Sequence, residues 1–562
     1  MTKQKLELTW IGKHKRPKLE ARILLEDPEK SYHAKVRSES AAFDNRLIFG
    51  DNLLALKALE QEFTGKVKCV FIDPPYNTGS AFAHYDDGLE HSIWLGLMRD
   101  RLEIIKRLLA ENGSLWITLD GSEVHYLKVM CDEIFGRSNY LGDLIWKKRK
   151  GGGNDSHFFA MDHDYVLSYV KSSDKKIHTK KWKVSQSEEY LKRYREMDDK
   201  GSRYYWDTLA RDGLQNPIVV EISTPDGGIL KINSQKSEST IHEGLQDGTI
   251  RLSHGRNGWT LHHRVYMPEG QVLRSILDDV GTNKDSSDEM EYLFGNKKAF
   301  DYPKPENLVK RILELCTNPG DLVLDSFAGS GTTGAVAHKM GRRWIMVELG
   351  EHCHTHIIPR LQKVIDGEDQ GGISKAVNWQ GGGGFRYFRL APTLIVNDKW
   401  GNQIINPDYN PEMLAEALAK LEGFTYMPSE NLWWQHGYSS ENDFIYVTTQ
   451  SLSVEQLQVL SDEVGAGRSL LICCSAWRGI TADQAAERFP NLSLKKIPKM
   501  ILKRCEWGHD DYSLNVANLP MAEEEPEPRS SESQPAAKTK PAKRKSAVEN
   551  QGGLFDGMDS DE

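Results

Sequence analysis

The residues best suited to chemistry come directly after one predicted buried strand. Residues 70–72 are Val, Phe and Ile, an apolar run that is typical of the end of such a strand. Pro74 and Pro75 follow Asp73 and stop the strand, because a proline cannot donate a hydrogen bond to a neighbouring strand and its φ is fixed. The prolines therefore predict a stiff elbow at the carboxyl edge of a sheet, with Asp73 and Tyr76 on either side of it. Such an elbow holds a hydrogen-bond acceptor and an aromatic face in a fixed mutual geometry.

A second candidate site is the glycine-rich stretch GSGTTG at residues 329–334, which matches the pattern G-x-G-x-x-G. Residues 321–325 predict a strand before it, and residues 332–340 predict a helix after it. Glu348 closes the next predicted strand, nineteen residues after Gly329. This order of strand, loop, helix and acid is typical of a loop that binds an adenosine cofactor, with the acid on the ribose hydroxyls. A tight turn with a purely structural role is the competing interpretation.

The elements that must position these two sites follow an alternating pattern. Residues 41–145 alternate between strand and helix patterns, which predicts a parallel α/β sheet. The helical pattern that starts at His91 is expected to end at Gly113, a residue suited to a C-cap. The periodicity is lost over residues 146–300, which predicts an irregular inserted domain, and the α/β pattern resumes over residues 301–390.

Three further segments are predicted at the two ends of the chain. Residues 1–40 are expected to form an N-terminal arm. Residues 391–520 predict a small second α/β domain, which includes a helix opened by a capping box of Ser453 and Gln456. Residues 521–562 are rich in Glu, Pro, Ser, Ala and Lys, cannot bury a core, and are expected to be disordered.

The composition of the 562 residues excludes several classes of protein. Hydrophobic residues make up 39% and charged residues 27%, as in an ordinary globular protein. No stretch approaches the roughly 18 to 20 consecutive apolar residues of a membrane span. The amino terminus lacks the apolar core and cleavage site of a secretory leader, so we expect a cytoplasmic protein. The seven cysteines show no C-x-x-C spacing, which argues against a disulfide framework and against a zinc knuckle.

Both motifs resemble those of one known family. Residues 327–331 read FAGSG, which resembles the cofactor loop of DNA methyltransferases that modify amino groups, and residues 73–76, DPPY, resemble the catalytic motif of the same family. The catalytic motif comes first and the cofactor loop second, an order similar to the β-type permutation of adenine-N6 DNA methyltransferases. The likeness covers roughly residues 40–390. It is most specific for the modification (Mod) subunits of type III restriction systems.

The resemblance implies S-adenosyl-L-methionine as the cofactor, where the bare glycine pattern would suggest NAD. It implies that residues 41–145 are the catalytic half of the methyltransferase domain, 301–390 the cofactor-binding half, and 146–300 the target-recognition domain. Lys304 would help to seat the methionine end of the cofactor, and Glu348 would bind the ribose. The implied cofactor residues are Lys304, Asp325, Phe327, Ala328, Gly329, Gly331, Thr332 and Glu348.

The same resemblance implies a mechanism for Asp73, Pro74, Pro75 and Tyr76. An exocyclic amino group is a poor nucleophile, because its lone pair is delocalised into the ring. Asp73 would accept one amino hydrogen and the Pro74 carbonyl the other, which directs the lone pair at the sulfonium methyl. Tyr76 would stack on a target base that has been flipped out of the duplex. An acid rather than a serine in the motif favours adenine N6, and cytosine N4 stays open.

DNA contacts are expected from basic segments despite a formal net charge of −9. Bases cluster at residues 12–18, 146–150 and 175–183, and each cluster can also be read as a solvated face. The second cluster precedes a glycine-rich loop. We predict that its bases contact the DNA backbone, which would make binding sensitive to salt. These residues are Lys147, Lys148, Arg149 and Lys150.

Two further patterns could carry a function outside the two motifs. His352 and His356 lie one helical turn apart beside Cys353, but no complete ligand set accompanies them, so we expect no metal. The stretch QGGLFD at residues 551–556 resembles the short peptide by which bacterial replication and repair proteins bind the sliding clamp. Gln551, Leu554 and Phe555 would carry that contact.

Several functions stay open at this point. The main alternatives are a solitary methyltransferase without a restriction partner and an amino methyltransferase that acts on cytosine N4 or on RNA. A chain that serves chiefly as a sequence-recognition subunit is a third, and a nicotinamide dehydrogenase a distant fourth. The sequence contains no G-x-x-x-x-G-K-[ST] motif, so ATP-driven steps would come from a separate restriction (Res) subunit. Family resemblance suggests a homodimer. The family does not assign residues 391–520, and we expect them to provide partner or dimer contacts.

Overall fold

A computed structural model gives the fold over most of the chain. The residues it describes are 7–17, 19, 22–35, 43–77, 91–151, 158, 160–178, 182–186, 188–210, 213–256, 258–397, 399 and 403–497. The tail at 521–562, with the predicted clamp-binding residues Gln551, Leu554 and Phe555, lies outside the described residues.

The described elements alternate between strands and helices along most of the chain. The strands are β1 (Leu24–Glu26), β2 (Tyr32–His33), β3 (Asn45–Phe49), β4 (Val67–Ile72), β5 (Leu109–Leu119), β6 (Tyr140–Lys147), β7 (His163–Val170), β8 (Glu196–Met197), β9 (Arg203–Thr208), β10 (Ile218–Ser223), β11 (Ile229–Ser234), β12 (Ile250–Gly255), β13 (Gly258–Tyr266), β14 (Ile276–Leu277), β15 (Leu322–Asp325), β16 (Arg343–Glu348), β17 (Gly384–Leu390), β18 (Ile395–Asn397), β19 (Gln403–Ile405), β20 (Thr425–Tyr426), β21 (Gly437–Ser440), β22 (Asp443–Leu452), β23 (Ser469–Trp477) and β24 (Leu492–Lys496). The α-helices are α1 (Asn52–Phe63), α2 (His91–Leu108), α3 (Val124–Phe135), α4 (Glu188–Leu191), α5 (Glu238–Gln246), α6 (Asn283–Phe294), α7 (Glu306–Cys316), α8 (Thr332–Lys339), α9 (Ile358–Asp366), α10 (Pro411–Leu421), α11 (Val454–Val464) and α12 (Ala482–Arg488).

One large sheet carries the predicted α/β pattern. Its described strands run in the order β1-β17-β3-β16-β15-β4-β5-β7-β6-β14, with β2 beside β17. The five central strands from β3 to β5 are parallel, and β7 is antiparallel to both of its neighbours. The prediction of a parallel α/β sheet from residues 41–145 and 301–390 is therefore confirmed.

The sheet separates two apolar cores. Helices α1, α2 and α3 pack on one face, and α7, α8 and α9 on the other. Along β4, Val70 and Ile72 point into the first core, while Cys69 and Phe71 point into the second. Side chains alternate between the two faces of a strand, so a strand covered on both sides must be apolar throughout. This burial explains the continuous apolar run before Asp73.

The predicted C-cap at Gly113 is wrong. Helix α2 ends at Leu108 and β5 begins at the next residue, so Gly113 lies within a strand. A Cβ at Gly113 would lie 2.8 Å from the Val67 carbonyl oxygen of the neighbouring strand. The glycine is therefore suited to a close approach of two strands rather than to a helix end. The apolar residues of the helix continue directly into those of the strand, which conceals the boundary in the sequence.

The region predicted to be irregular contains ordered sheets. Strands β7 and β14 belong to the large sheet, although both lie between residues 146 and 300. The other described strands of that stretch form the sheet β12-β13-β9-β8 and the hairpin β10-β11. These sheets and α5 share a small core, which includes Val220, Ile241 and Leu261.

Residues beyond β17 form a second α/β sheet, as predicted. Strands β20 to β24 are neighbours in chain order, and β22, β23 and β24 are parallel. The capping box of α11 is confirmed: Ser453 accepts a hydrogen bond from the Gln456 N–H, and the Gln456 side chain accepts one from the Ser453 N–H. Among the described residues, no helix is both long enough and apolar enough to cross a membrane.

Candidate active site

The sheet topology brings four polar residues to one edge. Asp325 ends β15, Asp73 follows β4, and Thr118 lies one residue before the end of β5, all on adjacent parallel strands. Asp164 lies near the start of β7, which runs antiparallel to β5, so it reaches the same edge. Open α/β sheets bind their ligands outside the carboxyl ends of the strands. The candidate site is therefore at this edge.

A cavity of about 350 Å³ opens at that edge and joins the two predicted motifs. Every residue of the DPPY motif lines it, and so do most of the predicted cofactor residues. The predicted residues on its wall are Asp73, Pro74, Pro75, Tyr76, Lys304, Asp325, Phe327, Ala328, Gly329 and Thr332. Gly331 and Glu348 are not among the described residues that line it.

The Asp73 carboxylate is fixed by two donors. The Lys304 ammonium lies 2.5 Å from Oδ2, and the Thr118 hydroxyl donates to Oδ1. About 27% of the Asp73 side-chain surface stays exposed, although Lys304 is buried. Each carboxylate oxygen can accept more than one hydrogen bond. Asp73 is therefore oriented by the protein and can still accept a hydrogen from a ligand in the cavity.

Hydrogen bonds from neighbouring side chains hold the proline elbow in place. The Trp94 indole N–H donates to the Pro75 carbonyl at 2.9 Å. Asn77 adopts a left-handed backbone conformation (φ 58°), and its side-chain amide donates to the Glu123 carboxylate at 2.7 Å. His91 contacts the same carboxylate oxygen at 2.8 Å. These contacts fix the chain on both sides of Tyr76.

Tyr76 faces a second ion pair that the sequence did not reveal. Its hydroxyl lies 3.5 Å from the carboxylate of buried Asp164, and the Lys148 ammonium lies 2.5 Å from the other oxygen of that acid. Burial raises the pKa of Asp164, and Lys148 opposes the shift. Burial and the carboxylates of Asp73 and Asp164 hold the pKa of Tyr76 well above its usual value. The phenol therefore stays neutral at physiological pH.

The four predicted DNA-binding bases do not share one environment. Lys148 lines the cavity and pairs with Asp164, and Arg149 also lines the cavity. Lys147 and Lys150 are exposed. Two of the four predicted bases thus line the cavity, and the contact of the segment with DNA stays a prediction.

The three glycines of the loop meet three separate geometric requirements. Gly329 and Gly331 have φ values of 53° and 79°, which other residues rarely adopt. Gly331 is the N-cap of α8. A Cβ at Gly334 would lie 2.3 Å from the Met346 methyl carbon on β16, so this glycine permits close packing of helix on strand. These roles match those of an adenosine-cofactor loop, and the predicted strand, helix and final acid are all present.

Glu348 holds this loop through hydrogen bonds to backbone N–H groups. Its buried carboxylate accepts hydrogen bonds from the backbone N–H groups of Gly329, Leu349 and Gly350 at 2.8–2.9 Å. His352, also buried, lies 3.1 Å from the same carboxylate. The predicted contact of Glu348 with a ribose stays a prediction. Within the described part of the chain, no group of three or more His, Cys, Asp or Glu residues could hold a metal ion.

Several residues of the site were not predicted from the sequence, among them Thr118 and Asp164. Thr118 occupies the end of a predicted strand, a position that could have marked it as a candidate. Asp164 had no such signal, because only the antiparallel course of β7 brings it to the cavity.

One family of proteins matches this chain over residues 67–359, just over half of its length: the family described as DNA methylase (N6_N4_Mtase). The matched residues include the DPPY motif, the glycine loop and Glu348. The chain belongs to this family of DNA methylases.

Individual relatives show the same likeness. The protein named "Probable type III restriction-modification enzyme HindVI Mod subunit" of Haemophilus influenzae is 33% identical over 417 residues, which cover 64% of this chain and 55% of the relative. The type III restriction-modification enzyme StyLTI Mod subunit of Salmonella typhimurium is 30% identical, over 53% of this chain and 50% of the relative. The DNA adenine methyltransferase YhdJ of Escherichia coli is 23% identical, over 54% of this chain and 78% of the relative. The chain thus matches about half the length of the two Mod subunits.

The pKa of Asp325 generates a first prediction. Burial raises this pKa to about 7, against roughly 4 in an unfolded chain. The folded protein therefore keeps this proton over a range in which the unfolded chain has lost it. The stabilisation that results is fully present below about pH 4 and is lost as the pH rises through about 7. Urea unfolding at pH 5 and pH 8 should show wild-type stability falling more steeply with pH than that of Asp325→Asn.

The control for this experiment is the exposed acid Asp408. Asp408→Asn should reproduce the wild-type pH dependence. Equal pH dependence in wild type and Asp325→Asn would contradict the raised pKa.

Proposed function

We propose that this chain is a site-specific DNA methyltransferase that transfers a methyl group from S-adenosyl-L-methionine to N6 of adenine in duplex DNA. The observation that carries the proposal is the shared cavity, in which an oriented carboxylate and a tyrosine face the glycine loop. An amino group bound by Asp73 would lie beside the cofactor that this loop would hold. The target base must leave the duplex to enter the cavity, which costs a few kcal/mol.

The residues of the cavity fit the cofactor. Gly329, with a φ of 53°, allows the backbone to approach a ligand closely, and Phe327 and Ala328 provide an apolar wall. When bound, S-adenosyl-L-methionine supplies an electrophilic methyl group on a sulfonium. Lys304, a cavity residue, could hold a carboxylate such as that of the methionine end.

Asp73 would activate the amino group by accepting one of its hydrogens. The Pro74 carbonyl would accept the other, so the nitrogen lone pair is drawn out of conjugation with the ring. Tyr76 would hold the ring by stacking, and the contacts of Pro75 and Asn77 keep it in place. Orientation of this kind supplies up to about 7–11 kcal/mol in well-aligned reactions. The amino nitrogen would take the methyl group that the sulfonium supplies, and Asp73 or solvent would take the amino proton that is released.

Adenine N6 is the favoured target for two reasons. The motif begins with Asp73 rather than serine, and a relative that matches over most of its own length is named an adenine methyltransferase. Methylation of cytosine N4 would use the same geometry and is the alternative outcome of the experiment below.

Kinship with Mod subunits supports a role in a type III restriction system. We propose that the chain is the modification and recognition subunit, acts as a homodimer, and associates with a Res subunit. Residues 146–300 would recognise the target sequence. The second α/β sheet, within residues 391–520, would provide the dimer or partner contact.

Long-read sequencing tests the reaction itself. DNA from a methylation-deficient host that expresses the chain should carry N6-methyladenine at one recurrent sequence. Asp73→Ala should lower modification by roughly 10²-fold or more, in the range seen when one oriented polar group of an active site is removed. Asp408→Asn is a matched change of an exposed acid and should leave the pattern intact. Methylated cytosine would redirect the proposal to N4, and no modified base would refute it.

Salt dependence tests the interaction with the DNA backbone. Neutralising Lys147, Arg149 and Lys150 together should weaken DNA binding and flatten the plot of log affinity against log salt. The slope should fall by about 0.9 for each phosphate that the variant no longer neutralises. Lys148→Met should affect catalysis more than this slope, because Lys148 pairs with Asp164 inside the cavity.

Three exposed bases elsewhere provide the control for that experiment. Lys375, Lys420 and Arg488 carry the same total charge as the three test residues. Their neutralisation should leave the slope nearly unchanged. Equal effects of both triple variants would contradict a specific contact at residues 147–150.

Affinity purification tests the partners. An ATPase-nuclease should co-purify from the native host with the full-length chain and with a Leu554→Ala, Phe555→Ala variant. The sliding clamp should co-purify only with the wild type, since the variant lacks the apolar residues of the predicted docking peptide. Equal recovery of the clamp with both chains would argue against the peptide, and absence of the ATPase-nuclease would favour a solitary methyltransferase.

A further inference from the structure

A group of buried charges lies beneath the glycine loop, and the proposed chemistry uses none of them. Four charged residues of this group are each at most 3% exposed: Glu306, Lys339, Arg360 and Asp369. They come from α7, α8, α9 and the turn after α9. Charges buried this deeply persist only where they are paired and hydrogen-bonded.

Glu306 is the centre of the group. Its carboxylate accepts from the Lys339 ammonium at 2.9 Å, from the Arg360 guanidinium at 2.8 Å, and from the Ile373 backbone N–H at 3.0 Å. Lys339 lies 2.7 Å from Asp369 as well. One carboxylate thus links α7 to α8, α9 and the segment around Ile373.

Arg360 connects this centre to the glycine loop. One terminal nitrogen of its guanidinium donates to Glu306, and the other donates to the Thr332 hydroxyl at 2.9 Å and to the Ser330 carbonyl at 3.3 Å. Ser330 and Thr332 both line the cavity. The planar fork of an arginine holds several acceptors in one fixed arrangement, which a lysine cannot do.

Glu306 also lies close to the catalytic motif along the chain. It is the first residue of α7, two residues after Lys304, whose ammonium contacts Asp73. Its backbone N–H donates to the Glu289 carboxylate of α6 at 3.2–3.3 Å. The same residue therefore fixes the start of α7 beside Lys304 and, through Arg360, the glycine loop.

The chain closes over Glu306 at a glycine. Gly372 has a φ of 51°, and a Cβ at this position would lie 2.2 Å from a Glu306 carboxylate oxygen. Gly372 itself is exposed. A single added methyl group at the surface would therefore displace the buried carboxylate without removing any charged group.

We propose that Glu306 and Arg360 are positioning residues that hold Ser330 and Thr332 in the geometry required to bind S-adenosyl-L-methionine. The inference rests on the proposed function, since it concerns the cofactor of that reaction. Buried ion pairs often stabilise a fold no better than apolar side chains of similar size, so their value here is the arrangement they impose. Two buried side chains then hold the loop: Glu348 contacts Gly329, and Arg360 contacts Ser330 and Thr332.

Calorimetric titration of the full-length chain with S-adenosyl-L-methionine tests this role. Arg360→Lys keeps the charge but cannot reach Glu306, Ser330 and Thr332 together, so it should raise the Kd about tenfold or more. Gly372→Ala should raise the Kd in the same direction by displacing Glu306. DNA affinity, measured on the same samples, should change less than twofold.

The matched control is Gly320→Ala. Gly320 has a φ of 85°, and nothing lies within 4 Å of a Cβ added there, so the change adds the same backbone strain without touching the buried group. It should leave the Kd for the cofactor within twofold of the wild type.

Three outcomes separate the inference from the proposed function. Raised Kd values for Arg360→Lys and Gly372→Ala, with Gly320→Ala unchanged, support the inference. A lowered melting temperature with an unchanged Kd in both variants would show a merely structural role and overturn it. Failure of the wild-type chain to bind the cofactor would overturn the proposed function, and the inference with it.

Discussion

The contact between Asp73 and Lys304 is the constraint on which the site depends. The two residues are 231 positions apart in the sequence and lie 2.5 Å apart in the fold. Lys304 lies just before α7, which leads into β15, and β15 is a neighbour of β4 in the sheet although it comes much later in the chain. Any ligand that contacts both the DPPY motif and the glycine loop must lie across this junction. Residues from the two parts of the large sheet therefore form one candidate site, and neither part contains it alone.

Four of the acids near this edge of the sheet are satisfied in two different ways. Asp73 and Asp164 each lie beside a lysine, whereas Asp325 and Glu348 accept hydrogen bonds from backbone N–H groups. A nearby cation favours the charged form of an acid, and burial opposes it. Asp325 lies beside no lysine or arginine among its described contacts, and its pKa rises to about 7. Asp73 and Asp164 thus each keep a cation beside them, whereas Asp325 has a raised pKa and Glu348 is held by backbone N–H groups of the loop.

The sequence predicted the acids that follow strand ends and lie at this edge of the sheet. Asp73, Asp325 and Glu348 each come at or just after the end of an apolar run, and parallel strands carry such positions to one edge. Asp164 could not be found in this way, because β7 runs in the opposite direction and presents its start at that edge. The ion pair between Lys148 and Asp164 was not predicted for that reason. The link from Glu306 to Arg360 spans 54 residues and joins two helices, and periodicity within a helix does not reveal a partner on another one.

The chain that follows the separate sheet at residues 196–266 rejoins the large sheet and contacts the cavity. Its chain comes back through β14, which pairs with β6 beside Trp146. The Asn283 N–H, at the start of α6, then donates to the Lys148 carbonyl at 2.9 Å, and both residues line the cavity. Lys148 in turn contacts Asp164, whose carboxylate lies beside Tyr76. Contacts therefore run from this returning segment through Lys148 and Asp164 to Tyr76, which connects the proposed target-recognition region to the DPPY motif.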